Sequence, residues 1–336
     1  MTHPPGALRP RLESRHPLRC SAHYSRDLAD RVDEWFLSWD LLRDESQRRV
    51  FRRTDHTYLA AVCWPRCDAG ILYDLARLAA ALMARDHEID TAPADTAISM
   101  ARAFLTEVRA RYDLDGVRGT DPRWAPVFTE LWHSLSTRRS PRFMDRLATA
   151  LTDFLTGCLS YRRRGPATPR GARAGGELDG YLSTRRLTVA QRIDHLLIEA
   201  GLGIELDDDV LADPLMGRLL HLDVDRTILI QDTLSAPREL ADGESENLVA
   251  VLATDHGCSA QRALHEAMAL YDGLTDAYEQ AHAALLDSPT GRDPNVRAFA
   301  GALNDFSAGL IEWTSHSVRY TRAEKSIWNQ PDEIID

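Results

Sequence analysis

Apolar positions recur at helical spacing along nearly the whole chain. In residues 25–42, Leu28, Val32, Trp35, Phe36, Trp39 and Leu42 fall on one helix face. Residues 46–62 repeat the pattern with Val50, Tyr58, Leu59 and Val62, and Trp64-Pro65 ends it, because proline removes a backbone donor and clashes with the preceding turn. Residues 69–90 form the most apolar early stretch, with Ile71, Leu72, Leu75, Leu78, Leu82 and Met83. A helix apolar around so much of its girth is expected at the centre of the fold. Further helices are predicted over 96–112, 121–137, 140–163, 178–200, 209–224, the stretch around Gln231, 259–286 and 295–320. Asp121-Pro122 and Ser140-Pro141 each read as an N-cap followed by proline at the first helical position. No stretch alternates with period two, none repeats at fixed spacing, and no shift in composition marks a second domain. The pattern predicts a single all-α domain.

Composition narrows the function classes. The 336 residues carry a net charge of −11, which argues against a nucleic-acid binder, although arginines can still converge locally on a small anion. The five cysteines are scattered and odd in number, so neither a disulfide framework nor a zinc site is expected, and a reducing cytoplasm is the predicted compartment. No apolar run is long enough to span a membrane. Residues 1–22 are rich in arginine and proline and read as a flexible arm, 23–322 as the helical domain, and 323–336 as a tail. Residues 162–176, RRRGPATPRGARAGG, read as a solvated surface loop.

Polar residues interrupt the helical pattern at a few places that carry chemistry. Gln231, Ser235 and Glu239 stand at i, i+4 and i+8, which stacks an amide oxygen, a hydroxyl and a carboxylate on one face. A hard divalent cation such as Mg²⁺ takes that donor set. Asp86 and Asp90 share a face at the C-terminal end of the apolar helix, where the macrodipole disfavours carboxylates and a bound cation would offset the cost. Taken alone, either motif reads first as an ordinary solvated helix face. Asp207-Asp208-Asp209 lies at a helix start and needs only its capping role. Arg185-Arg186 follow Tyr181, Arg238 precedes Glu239, and Arg319-Tyr320 close the last long helix, six residues after Trp313.

The order of these elements resembles the bacterial class I terpene synthases over residues 20–322. The resemblance implies a class I terpenoid synthase-like α-helical domain around a central apolar cavity. It casts Asp86 and Asp90 as the aspartate-rich motif, and Gln231, Ser235 and Glu239 as the second metal triad, the two together holding three Mg²⁺. It casts Arg185, at 231 − 185 = 46 positions before Gln231, as the diphosphate sensor, with Arg238, Arg319 and Tyr320 as further diphosphate contacts. Asp86, Glu239 and Arg185 are the residues on which turnover is expected to depend most. Thr188 and Val189 fall at the linker and effector positions, and Phe36, Met83, Phe154 and Trp313 are candidate cavity walls.

The implied reaction is metal-assisted ionisation of a linear prenyl diphosphate, farnesyl diphosphate first and geranylgeranyl diphosphate second, with cyclisation to a terpene hydrocarbon or alcohol and release of diphosphate. The implied partner is that small molecule, with no nucleic acid or membrane, acting on a monomer or homodimer. The chain departs from the family pattern at Gln231, where Asn or Asp is usual, at His87, where a second Asp is usual, and at Pro237 inside the triad helix. These departures carry an alternative: a catalytically impaired relative that binds a prenyl diphosphate or a protein partner.

Overall fold

The computed structural model describes residues 8–42, 44–92, 94–110, 121–164, 176–243 and 246–321. These form α1 (Arg26–Leu37), α2 (Glu45–Thr54), α3 (His56–Cys63), α4 (Ala69–Thr91), α5 (Ala94–Ala110), α6 (Ala125–Ser136), α7 (Pro141–Arg164) and α8 (Gly176–Thr188). They continue with α9 (Gln191–Leu202), α10 (Asp208–Leu211), α11 (Pro214–Ala241), α12 (Leu248–Asp255), α13 (Ala260–Asp287), α14 (Pro294–His316) and α15 (Val318–Thr321). No strand occurs among the described residues.

Local chemistry sets the boundaries. Ser25, Asp44, Asp68, Asp213, Ser259 and Asp293 each accept a hydrogen bond from a backbone N–H in the first turn of the helix they precede. Ser140 caps α7 as expected, its Oγ accepting from the Phe143 N–H at 3.1 Å. Asp121 does not start α6. It opens a turn, accepts from the Arg123 N–H and pairs with Arg85, and α6 begins four residues later. Two helices expected to be continuous are broken by residues in the left-handed region: Asp55 at φ 51° separates α2 from α3, and Ala190 at φ 62° separates α8 from α9. Conversely, α11 runs unbroken for 28 residues through Pro237.

The core is built around α3, α4, α11 and α14. On α3, Leu59 to Cys63 are all buried, and on α4 Leu72, Leu75, Ala76 and Ala80 are fully enclosed. As its girth predicted, α4 is central, packing on α1, α3, α5, α6 and α9. Gly309 allows α14 to meet α3 backbone to backbone, since a Cβ there would lie 2.2 Å from the Val62 carbonyl oxygen.

The arm is not loose where it is described. Leu8 and Leu12 are buried, the Ser21 N–H donates to the Ala61 carbonyl at 2.9 Å, and Arg19 pairs with buried Asp305. Apolar side chains and an ion pair thus hold residues 8–22 as a strap across the helices. The tail from 322 on, and residues 165–175 of the arginine-rich loop, lie outside the described residues.

Candidate active site

The spacing on α11 places Gln231, Ser235 and Glu239 on one face, as its period dictates. Asn247, the fully buried N-cap of α12, reaches back to this face. Its Nδ2 donates to Glu239 Oε2 at 2.9 Å, to Ser235 Oγ at 3.3 Å and to the Asp232 carbonyl at 2.7 Å. Arg238 Nη2 donates to the other Glu239 oxygen at 2.9 Å. Burial pushes the Glu239 carboxyl up, and Arg238 and Arg185 draw it back down. The donors gathered on Glu239 and Ser235 are one amide and one guanidinium, the kind of electropositive group that a cation would replace. An amide oxygen, a hydroxyl and a carboxylate on one rigid face therefore fit a hard divalent metal.

Arg185, on the last turn of α8, donates from Nε and Nη2 to Asp232 Oδ1, both at 3.1 Å, and from Nη2 to Gln231 Oε1 at 3.3 Å. Its Nη1 donates to the Thr188 carbonyl at 3.1 Å, just before the Ala190 break. Burial works against the Arg185 charge, but Asp232 outweighs it and the guanidinium holds its proton more tightly than usual. Asp232, one residue from Gln231, is the position the sequence offers as a substitute metal ligand, but the structure turns it aside. It is buried on the flank of α11, where it accepts from Tyr181 Oη, from Arg185 and from the Leu248 N–H. Burial, then Asp232, pushes the Tyr181 phenol well up.

α15, which packs on α11, links this face to the end of α4. Arg319 of α15 lies 3.6 Å from Asp86 Oδ2. His87 is pushed down to about 3 by burial and then by the charges of Arg319 and Arg238, so it is neutral. Asp86, His87, Arg319, Arg238, Glu239, Arg185 and Gln231 thus form one continuous rim. The Asp90 side chain lies outside the described residues. Among the described residues no three of His, Cys, Asp and Glu cluster at metal-binding distance, which follows from a triad with a single carboxylate. Glu88 faces away from the rim and anchors the helix end, accepting from buried Arg85, from Arg123 and from the Trp124 indole.

The aromatic wall candidates divide. Phe36 has no accessible surface and stacks on Phe51 at 4.3 Å, so it is core and presents no face to a cavity. Trp313 is nearly as enclosed, its indole N–H donating to the Thr54 carbonyl at 3.0 Å and its ring meeting Tyr320 edge-on at 5.7 Å. Its part is to seat Tyr320, not to line a cavity. Phe154 lines a surface groove between α7, α8 and α9 with Ala150, Leu187, Ala190 and Ile193. Met83, one turn below His87, keeps accessible surface.

Tyr181 and Asn247 complete the site and were not singled out for it from the sequence, whereas Asp232, offered by the sequence as a substitute ligand beside Gln231, is engaged by Tyr181 and Arg185 instead. The Ser-Glu-Asn-Leu-Val stretch after the triad helix carries an N-cap signal at Asn247, but nothing in its spacing shows that the side chain turns back to Glu239.

The model describing Terpene synthase family 2, C-terminal metal binding, matches residues 78–277. The chain is 26% identical over 304 residues to sesquiterpene synthase 6 of Postia placenta, covering 90% of this chain and 87% of that one. It is 27% identical over 308 residues to the (2E,6E)-farnesyl diphosphate cyclizing 7-epi-alpha-eudesmol synthase of Streptomyces viridochromogenes, covering 87% and 86%. Among solved structures, α-eudesmol synthase superposes with a TM-score of 0.76 at 24% identity, covering 90% of this chain and 98% of that one.

Proposed function

The chain belongs to the terpene synthases, and from that premise we propose that it is a class I enzyme that ionises and cyclises a linear prenyl diphosphate, with farnesyl diphosphate as its first substrate. Relatives of similar length named as sesquiterpene synthases, one of them named for farnesyl diphosphate, support the substrate. The observation that carries the site assignment is the single rim on which Asp86 with Arg319 and the Gln231–Ser235–Glu239 face with Arg185 and Arg238 meet.

In this reading Gln231, Ser235 and Glu239 hold one Mg²⁺, and Asp86 with Asp90 holds two more. The metal supplies Lewis acidity at the diphosphate oxygens. Arg185, Arg238 and Arg319 offer forked donors to the same oxygens, and Tyr320 adds a hydroxyl. Donors fixed in place before reaction stabilise the charge that develops on the leaving group as the allylic carbon–oxygen bond breaks. Below the rim, Leu78, Leu82 and Met83 of α4 keep water from the resulting cation.

The test is product formation by gas chromatography, with diphosphate release, from C10, C15 and C20 prenyl diphosphates and Mg²⁺. The C15 substrate should give a cyclic product, and Glu239→Ala should lower turnover by about 10³-fold, comparable to losing a principal electrostatic contact. Wild-type rates in Glu239→Ala would remove the triad assignment. No turnover by the wild type with any substrate would leave the impaired, binding-only alternative.

A further inference from the structure

The wall below the rim is not uniformly apolar. Asp194 is the fourth residue of α9, one turn below the Ala190 break. Seven residues on, and so on the same face two turns deeper, Gly201 abuts Trp64, Cys67 and Leu75 at 3.6–3.9 Å from its Cβ position. Across from it, Leu75, Leu78, Leu82 and Asp86 climb one face of α4 from that floor to the rim. Asp194 therefore stands between floor and rim. It keeps accessible surface although it lies deep among α3, α9 and α11, and its charge is felt by buried Cys63 on α3. A side chain both enclosed and accessible faces an internal space. The Asp194 carboxyl has no hydrogen-bond partner among the described residues.

Behind it lies a second, buried polar layer. Asp223 of α11 has no accessible surface and accepts from Gln191 Nε2 at 2.7 Å, and its Oδ2 lies 2.9 Å from His195 Nε2. Among the described residues its Oδ1 and the Gln191 Oε1 have no hydrogen-bond partner, nor do Nε and Nη1 of buried Arg226, one turn further on, over the Tyr278 ring. Unpartnered buried polar atoms are costly, and a cavity meant only to shape a hydrocarbon has no need of them.

Resting on the terpene synthase reading above, we propose that Asp194 is a proton-transfer residue at the deep end of the cavity, protonating a neutral cyclic olefin formed part-way through the reaction. The first cation loses a proton to the released diphosphate and becomes that olefin. The Asp194 O–H bond then breaks, its proton forms a C–H bond with the olefin π pair, and the adjacent carbon becomes cationic beside the new carboxylate. In a dry cavity that opposite charge holds the cation close. The carboxylate finally removes a proton from a carbon next to the last cation, whose C–H pair becomes the product double bond, and the acid is restored. Burial, and after it the Asp223 charge, push the Asp194 carboxyl well up, so the acid is loaded before substrate arrives. Besides Asp223, the ionisable group that interacts with it is Cys63 on α3, whose thiol burial holds protonated.

The test uses unlabelled farnesyl diphosphate in D₂O, with mass spectrometry of the product after back-exchange and diphosphate release measured in parallel. The wild-type product should carry one carbon-bound deuterium. Asp194→Asn, nearly isosteric and checked for an unchanged melting temperature, should release diphosphate within about threefold of wild type. It should lose the deuterated product by about a hundredfold, the scale of general-acid catalysis, and accumulate an unlabelled olefin. Asp194→Glu should restore part of the label. Unlabelled wild-type product, or full labelling in Asp194→Asn, overturns the proposal while leaving the enzyme assignment standing. Absence of diphosphate release by the wild type overturns both.

Discussion

Gln231 shows how much one methylene decides. Its amide oxygen accepts from Arg185 rather than standing alone on the triad face. On the proposed reading the longer side chain must retract to share an ion with Ser235 and Glu239, so the metal would be held less tightly without being lost. Gln231→Asn is expected to lower the Mg²⁺ concentration for half-maximal turnover, read from rates across a magnesium titration, and an unchanged or higher requirement would count against Gln231 as a ligand. The shared face of Gln231, Ser235 and Glu239 was legible in the sequence because helical spacing alone puts side chains on a face, while Arg185 and Arg319 were picked out only by the family resemblance. The part of Asn247 was not legible, and Asp232 was read only as a substitute ligand, because their places depend on a turn and a flank that bring α8 and α12 against α11. Phe36 and Trp313 were misread as walls for a related reason: periodicity shows which face is apolar, not whether that face meets another side chain or open space.

At the scale of elements, the helices were legible and their breaks were not. The two breaks at Asp55 and Ala190 lack glycine or proline, so no local signal announces them, and packing imposes the left-handed geometry. Pro237 is the converse: a helix breaker that tertiary packing overrides. It sits four residues before the end of α11, where its missing N–H leaves the Thr233 carbonyl short of its usual intrahelical donor. Pro237→Ala restores that donor and should stabilise the protein by about 1–3 kcal/mol, a rise of several degrees in melting temperature by calorimetry. A fall would mean that the helix is bent there to seat Glu239.

For the molecule as a whole, stability should depend on pH through a group far from the rim. Asp33 on α1 is buried, and that burial, with Asp55 adding to it, pushes its carboxyl up to about 7. The folded state then binds this proton more tightly than the unfolded chain, whose carboxyl titrates near pH 4. The contribution is therefore complete below about pH 4 and lost as pH rises toward 7. Asp33→Asn should melt several degrees above wild type at pH 8 and match it near pH 4. Equal differences at both pH values would show that the carboxyl titrates normally. The all-α architecture was legible because period 3.6 runs the length of the chain. The packed strap at 8–22 was not, since Leu8 and Leu12 are too few to form a pattern.

The ion pairs along the rim have a thermodynamic consequence. Arg238 sits on Glu239, Arg319 on Asp86 and Arg185 on Asp232 and Gln231, so the cationic groups that would bind an anion are engaged by the acidic and amide groups around them. A metal that takes over Glu239 and Asp86 liberates two arginines, and an anion that draws those arginines away bares the carboxylates. Each ligand thus prepares the seat of the other, and linkage makes the effect equal in both directions. Calorimetric titration with diphosphate should give weak binding in chelator and binding tighter by at least about tenfold in saturating Mg²⁺, a coupling of about 1.4 kcal/mol. Equal affinities would show that the two ligands bind independently. On the proposed reading the site would work as an exchange device, accepting a charged pair by undoing its own.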